Sequence, residues 1–176
     1  MMALQTIYVS QEGLDALKER LEKAQADLKA IRDDKAISYT ATGDTWHDNP
    51  YFNKLEQDER TKEGEIAEFN GLIANARVYS ADKRNITRVA LGSIVHLSRY
   101  YKVTSQSDEQ VWEVSGYGEI DVPKQRVSYN SPLMKAIMGL HVGDTAETGS
   151  PQGPVEYEIL ALFASWDDVP ANLKSF

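Results

Sequence analysis

From Leu14 onward the apolar residues recur at Leu14, Leu17, Leu21, Ala24, Leu28 and Ile31, in steps that alternate three and four. This is a heptad seam, narrower than the stripe of a helix packed into a globular core. Charged residues of both signs fill the positions between, as a solvated helix surface requires. No Gly or Pro interrupts Leu14 to Ser38, and Ser10 stands where an N-cap belongs. The spacing predicts a helix from about Gln11 to Ser38, roughly 40 Å long at ~1.5 Å per residue. A second seam runs through Phe52, Leu55, Glu59, Lys62, Ile66, Phe69, Ile73 and Ala76. Glu59 and Lys62 interrupt its apolar row, which predicts a locally splayed or wet stretch. Asn49 is a good N-cap and Pro50 suits the first helical position, where its missing N–H costs nothing. The helix should end near Tyr79, before the polar stretch Ser80 to Asn85. Two such helices joined by about ten residues read as an antiparallel hairpin. The alternative, two helices of an ordinary bundle, calls for wider apolar stripes than either helix has.

After residue 85 the period changes from helical to alternating. Ser93 to Val103 places Val95, Leu97, Tyr101 and Val103 on one face, with His96, Ser98 and Tyr100 on the other. Gln110 to Val114 is a second strand, followed by the turn Gly116-Tyr117-Gly118. Ser131-Pro132 opens a short helix with Leu133, Ala136, Ile137 and Leu140 at helical spacing. Gly143-Asp144 is a turn. Ala146 to Thr148 and Val155 to Leu162 form a hairpin around Ser150 to Pro154. The expected class is α+β: residues 1–80 a long antiparallel coiled-coil hairpin with its tip at 43–52, and residues 81–165 a small antiparallel-sheet domain with one short helix. Residues 166–176 form a polar tail with isolated aromatics, to which the pattern assigns no role.

Composition narrows the functional classes. The 176 residues are 41% hydrophobic and 26% charged, enough apolar content for a packed core. Net charge is −8, and neither half is basic: residues 1–80 hold 10 Lys+Arg against 15 Asp+Glu, residues 81–176 hold 9 against 12. Little direct binding to duplex DNA is expected, because phosphate contacts need clustered cations. There is no cysteine, which excludes disulfides, thiolate chemistry and cysteine–zinc sites. No signal peptide is evident, and the longest apolar stretch, Ile159 to Ala164, is far too short to span a bilayer. The expected location is the cytoplasm, without a membrane partner.

The segment between the helices, Gly43-Asp44-Thr45-Trp46-His47-Asp48-Asn49-Pro50-Tyr51-Phe52, concentrates the candidate chemistry. Two carboxylates at the end of a rod can enter a site closed to a globular protein. Each residue also has a plainer reading. Asp44 after Gly43 is a common turn residue. Asp48 complements the dipole at the start of the second helix. His47 can act as a base near neutral pH, but imidazole is a poor Mg²⁺ ligand and a lone exposed His is usually only solvated. His96 and His141 have no partner cluster in the sequence.

Rod, acidic tip and sheet domain, in that order, resemble the Gre family of bacterial transcript-cleavage factors (GreA/GreB-like) from about Tyr8 to Phe163. Two stretches carry the resemblance. At the tip, Gly43-Asp44, Asp48-Asn49 and Tyr51 are similar to the family's Gly-Asp, two variable residues, Glu-Asn and an aromatic. In the domain, Asn130-Ser131-Pro132-Leu133-Met134-Lys135-Ala136-Ile137-Met138-Gly139 and then Gly143-Asp144 match the family's Ser-Pro…Ala…Gly…Gly-Asp stretch. Aligned without gaps, the family's second tip acid falls on His47; one extra loop residue brings Asp48-Asn49 onto its Glu-Asn pair. Asp is one methylene shorter than Glu, and Trp46 is bulky where the family is usually polar.

The resemblance implies an elongation factor that is not itself an enzyme. Its globular domain, which in this family resembles an FKBP-like isomerase fold, would dock at the secondary channel of RNA polymerase through Ser131, Pro132, Ala136, Gly139, Gly143 and Asp144. The rod would enter the channel, where Asp44 and Asp48 help hold a Mg²⁺ of the polymerase site, orient a water and promote cleavage of backtracked RNA. His47, Asn49 and Tyr51 belong to the same tip. Mg²⁺ takes hard oxygen ligands and keeps waters, so one or two added carboxylates suffice and the free protein need not hold it tightly. The family also uses basic rod residues toward the RNA 3′ end. Here Lys18, Lys29 and Arg32 share a face, with Lys35 near the tip, and Lys29, Arg32 and Lys35 are the RNA-contact candidates. Asp15 and Glu22 interrupt that stripe, which favours a solvated mixed-charge face. Two other readings remain: a Gre-like channel binder that inhibits or retunes polymerase without cleavage, motivated by Thr45-Trp46-His47; and a coiled-coil adaptor or prolyl-isomerase-like chaperone, resting on fold similarity alone.

Overall fold

The computed structural model describes residues 6–42, 49–82, 84–151 and 153–175. The chain divides into two compact units, one formed by Leu14–Ala76 with the segment ending at Ile7, the other by Tyr8–Gly13 and Arg77–Phe176.

The helical unit is built on α1 (Gln11–Thr42) and α2 (Pro50–Asn75). Helix α1 begins at the expected cap, with Gly13 N–H donating to Ser10 Oγ at 2.9 Å. It runs past Ser38 to Thr42, since Tyr39-Thr40-Ala41-Thr42 contains no breaker and Thr40 Oγ1 bonds back to Ala36 O at 2.9 Å. Cross-contacts Asp27–Lys62, Arg32–Glu59 and Ser38–Asn49 show the antiparallel pairing. Both seams are the inward faces: Ala24, Ser38, Phe52 and Leu55 are buried, and the other seam positions are half-buried. The seam of α1 also continues beyond Ile31, through Lys35 and Ser38.

Helix α2 ends at Asn75 rather than near Tyr79, because the next residues become a strand. Strand β2 (Ala76–Val78) pairs with β1 (Ile7–Val9) in a two-stranded ribbon. Tyr79 N–H then donates to Val9 O at 3.0 Å. Three-residue strands are too short for a periodic signal, and this ribbon was not anticipated.

The second unit holds a five-stranded sheet in the order β5-β4-β3-β7-β6. Its strands are β3 (Ile94–Tyr101), β4 (Gln106–Ser115), β5 (Arg126–Ser128), β6 (Thr145–Ser150) and β7 (Gly153–Phe163). The expected all-antiparallel sheet needs one correction: the edge strand β5 runs parallel to β4. Strand β4 begins at Gln106, four residues before its apolar signal, because β3 pairs with it from Tyr101↔Gln106 onward. Val103, expected on the buried face, lies in the intervening turn and is exposed.

Alternation sorts the strands into two faces. Val95 and Leu97 on β3, with Val155, Tyr157 and Ile159 on β7, join Met134 and Ile137 of the short helix α3 (Pro132–Ile137) in the main core. A bulge between β3 and β7 opposes Leu97 to Ile159 and His96 to Ala161, so Leu160 is the extra residue. The parity of β7 flips there: Leu162 packs on the main core and Phe163 on the opposite face. That second face, with Ile94 and Val111, is covered by the C-terminal segment. Val169 is 3% exposed there, with Trp166 and Leu173 beside it. Gln125 pins the segment, its Nε2 donating to Val111 O and Leu173 O while its Oε1 accepts from Ser175 N. The tail is thus one wall of a small second core.

Candidate functional site at the hairpin end

Asp44, His47 and Asp48 lie outside the described residues, as do Gly43, Thr45 and Trp46. The described residues on either side define how the helices approach that segment. On α2, Asn49 is an N-cap with φ −85° and ψ 106°, its Oδ1 accepting from Tyr51 N at 3.0 Å and Phe52 N at 3.4 Å. Its Nδ2 reaches across to α1 and donates to Ser38 Oγ at 3.1 Å. Phe52 is buried, with Tyr39 6.4 Å away between ring centroids and the Lys35 ammonium 5.3 Å from its ring. Tyr51 faces solvent. Of the tip candidates, Asn49 is therefore a structural cap as well as a neighbour of the acids, and Tyr51 is an exposed aromatic.

Two of the basic candidates on α1, Arg32 and Lys35, face a row of α2 acids. Arg32 Nε donates to Glu59 Oε1 at 2.8 Å and its Nη2 to Glu63 Oε1 at 2.6 Å. Lys35 Nζ lies 2.9 Å from Glu59 Oε2 and 3.6 Å from Glu56 Oε1. Lys62 Nζ donates to Glu65 Oε2 at 2.6 Å and to Asp27 Oδ2 at 3.4 Å. Lys35 and Glu59 occupy the seams of opposite helices, so the break in the apolar row is bridged by an ion pair instead of left open. Hydrogen bonds from Arg32 and then Lys35 hold the Glu59 carboxyl below the ordinary glutamate range, and the Glu59 bond raises the Lys35 ammonium above its ordinary value. Two of the three RNA-contact candidates are thus engaged within the hairpin. Lys29 is exposed and forms no ion pair among the described residues. The position of Ser38 was legible in principle, since it continues the three–four steps Ile31, Lys35, Ser38, but a polar residue in an apolar row carries no hydrophobic signal.

The domain candidates shape α3 and the turns after it. Ser131 Oγ caps the helix by accepting from Met134 N at 3.2 Å, and Pro132 occupies its first turn. Ala136 packs against the main core. The helix ends at Ile137, not Leu140, because Gly139 turns the chain at φ +84° and donates its N–H to Val89 O at 2.8 Å. Gly143, at φ +90°, donates to Ile159 O at 2.8 Å. Asp144 Oδ2 accepts from His141 N at 2.8 Å; that bond, foremost, keeps its carboxyl below the usual aspartate range. Pro132, Gly139, Gly143 and Asp144 nevertheless leave surface exposed to solvent. His96 is a strand residue, stacked on Phe163 and 2.9 Å from Glu109 Oε2. Among the described residues no group of three or more His, Asp or Glu is disposed to hold a metal, and no helix is long and apolar enough to cross a membrane.

Comparison with known proteins gives this arrangement a relationship. Residues 83–162 match the family model "Transcription elongation factor, GreA/GreB, C-term". Transcription elongation factor GreA of Brucella canis is 29% identical over 150 residues, which cover 85% of this chain and 92% of that protein. GreA of Brucella melitensis biotype 1 aligns with the same figures. An alignment of 150 residues is too long for the sheet unit alone and takes in much of the hairpin. A solved structure of the transcription factor Gfh1 is 20% identical, covering 90% of this chain and 97% of its own, with a TM-score of 0.43.

Proposed function

We propose, from the premise that this chain belongs to the Gre family of transcription elongation factors, that it acts on RNA polymerase through the secondary channel and stimulates cleavage of backtracked RNA. The observation that carries this reading is the joining, in one chain, of a GreA/GreB-type C-terminal domain with an antiparallel helical hairpin whose connecting segment holds Gly43-Asp44 and Asp48-Asn49. The domain docks through the exposed surface of α3 and its following turns, around Pro132, Gly139 and Asp144. The hairpin then delivers its end to the active site.

The donor chemistry of the tip fits Mg²⁺. Asp44 and Asp48 supply hard oxygen ligands, and two carboxylates are too few for a site of their own but enough to complete one shared with polymerase. When bound there, the ion supplies Lewis acidity toward water and the phosphate. Asp44 would be a ligand to the ion, and Asp48 a second ligand or the acceptor that orients the attacking water. Asn49 caps the start of α2. Of the three RNA-contact candidates, Lys29 has no ion pair among the described residues and would face RNA, while Arg32 and Lys35 brace the hairpin. The chain contributes ligands to the polymerase catalyst and works where that enzyme works, in the cytoplasm, without a grip of its own on duplex DNA.

The test is a purified, backtracked elongation complex with Mg²⁺, with RNA shortening followed on gels. Added protein should speed cleavage, and Asp44→Asn should abolish the stimulation while leaving binding to polymerase intact. Binding without cleavage, where a GreA control cleaves, overturns the reading in favour of a non-cleaving regulator. Failure to bind polymerase at all removes it altogether.

A further inference from the structure

We infer that Ser38 and Asn49 form a clasp that positions the tip for cleavage, an inference that rests on the function proposed above. Ser38 is only 7% exposed although it is polar and near the end of a two-helix rod. It sits in the α1 seam one step beyond Lys35, and its Oγ accepts from Asn49 Nδ2 at 3.1 Å. Asn49 simultaneously uses Oδ1 to cap α2. Few side chains can do both. Asp can cap but has no donor when ionised, and Ser can cap but is too short to reach the other helix. Phe52, three residues after Asn49, is 5% exposed and flanked by Tyr39 and Lys35.

The two helix ends that lead into the acidic segment are therefore tied by side chains, beyond the backbone connection itself. Fixing both ends of a connecting segment reduces the conformations open to it. Ser38 and Asn49 act through the tip acids rather than on metal or RNA themselves. They are positioning residues, and they lie in a different unit from the α3 surface assigned to docking. Their loss should lower the rate of cleavage in the bound complex and leave binding to polymerase unchanged.

The experiment uses the full chain with Ser38→Ala, Ser38→Thr and Asn49→Ser, the last keeping a cap but losing the reach across. Cleavage is titrated against factor concentration to separate the maximal rate from the half-saturating concentration. Loss of one hydrogen bond predicts a drop of about three- to tenfold in maximal rate for Ser38→Ala and Asn49→Ser. The half-saturating concentration should stay within about twofold, and Ser38→Thr should restore the rate. Because the chain has no cysteine, spin labels placed through Thr40→Cys and Lys54→Cys report the helix spacing directly. That distance distribution should broaden with Ser38→Ala. An unchanged distribution, or a broadened one with full cleavage rate, overturns the clasp as a positioning device. A loss confined to half-saturation does the same. Wild-type protein that fails to cleave sinks the proposed function itself, and is seen before any variant is compared.

Discussion

In the sheet unit Ile94, Val95, Leu97, Val111, Met134, Ile137 and Ile159 are wholly withdrawn from solvent, whereas among the described residues between Leu14 and Ala76 the buried apolar ones are Ala24, Phe52 and Leu55. Two packed helices have too little interior to enclose a core, so their seam residues remain half-wet. The sheet, with α3 on one face and the C-terminal segment on the other, encloses two. The middle of the hairpin compensates with charge: Asp27, Arg32, Lys35, Glu59, Lys62 and Glu63 link the helices over about two turns of α1. Such partly exposed pairs are weak and salt-sensitive, while apolar burial is neither. The hairpin, with little apolar burial beside its ion pairs, is therefore the unit more sensitive to salt and pH.

The comparison can be broken most severely at Ile159. Ile159→Ala should cost the sheet unit about 2–5 kcal/mol, seen as a lower urea midpoint by Trp112 and Trp166 fluorescence in a Trp46→Phe background. A smaller shift than any hairpin substitution produces would contradict the division. Phe52→Ala should cost about 2 kcal/mol, read from helical circular dichroism at 222 nm, because Phe52 is the largest buried side chain among the described residues at the hairpin end. Trp166→Phe removes the 2.8 Å bond from Nε1 to Glu113 Oε2. Glu113 is only 4% exposed, and losing this donor should cost about 1–2 kcal/mol and loosen the C-terminal segment, detectable as faster amide exchange at Val169.

The smallest effects sharpen the contrast. Glu59→Gln should lower the melting temperature by about 2 °C or less at low salt, with the difference vanishing near 1 M NaCl. Acid should act in the same place. Glu59 has a lowered carboxyl pKa in the folded state, so its contribution is fully present above the ordinary glutamate range and is lost as pH falls through the lower folded value. Below about pH 4 the 222 nm signal should weaken in wild type more than in Glu59→Gln. An identical acid response in the two would show that this ion pair does not hold the helices.

The parts legible in the sequence share one property: their signal is periodic or local. Both seams, the caps at Ser10, Asn49 and Ser131, and the turn at Gly143-Asp144 follow from residue spacing and from preferences one turn long. The ribbon of β1 and β2, the parallel strand β5 and the covering role of Val169 were not legible. Each is only a few residues long and is stabilised by partners far along the chain, such as Gln125 reaching Leu173. At the candidate site, the acids and Asn49 were legible as a motif. The partners of Arg32 and Lys35 were not, because a mixed-charge helix looks the same in sequence whether its charges face solvent or another helix.

Two heptad helices ahead of an alternating α+β region, with Asp44 and Asp48 in the segment that joins the helices, follow from periodicity and covalent order, which need no knowledge of distant contacts. That Lys35 meets Glu59, that Ser38 meets Asn49, and that Val169 and Leu173 close a second core emerges only in the folded chain. Those outcomes depend on which side chains the pairing of helices and strands brings within hydrogen-bonding or van der Waals reach, and residue spacing along one segment does not encode that proximity.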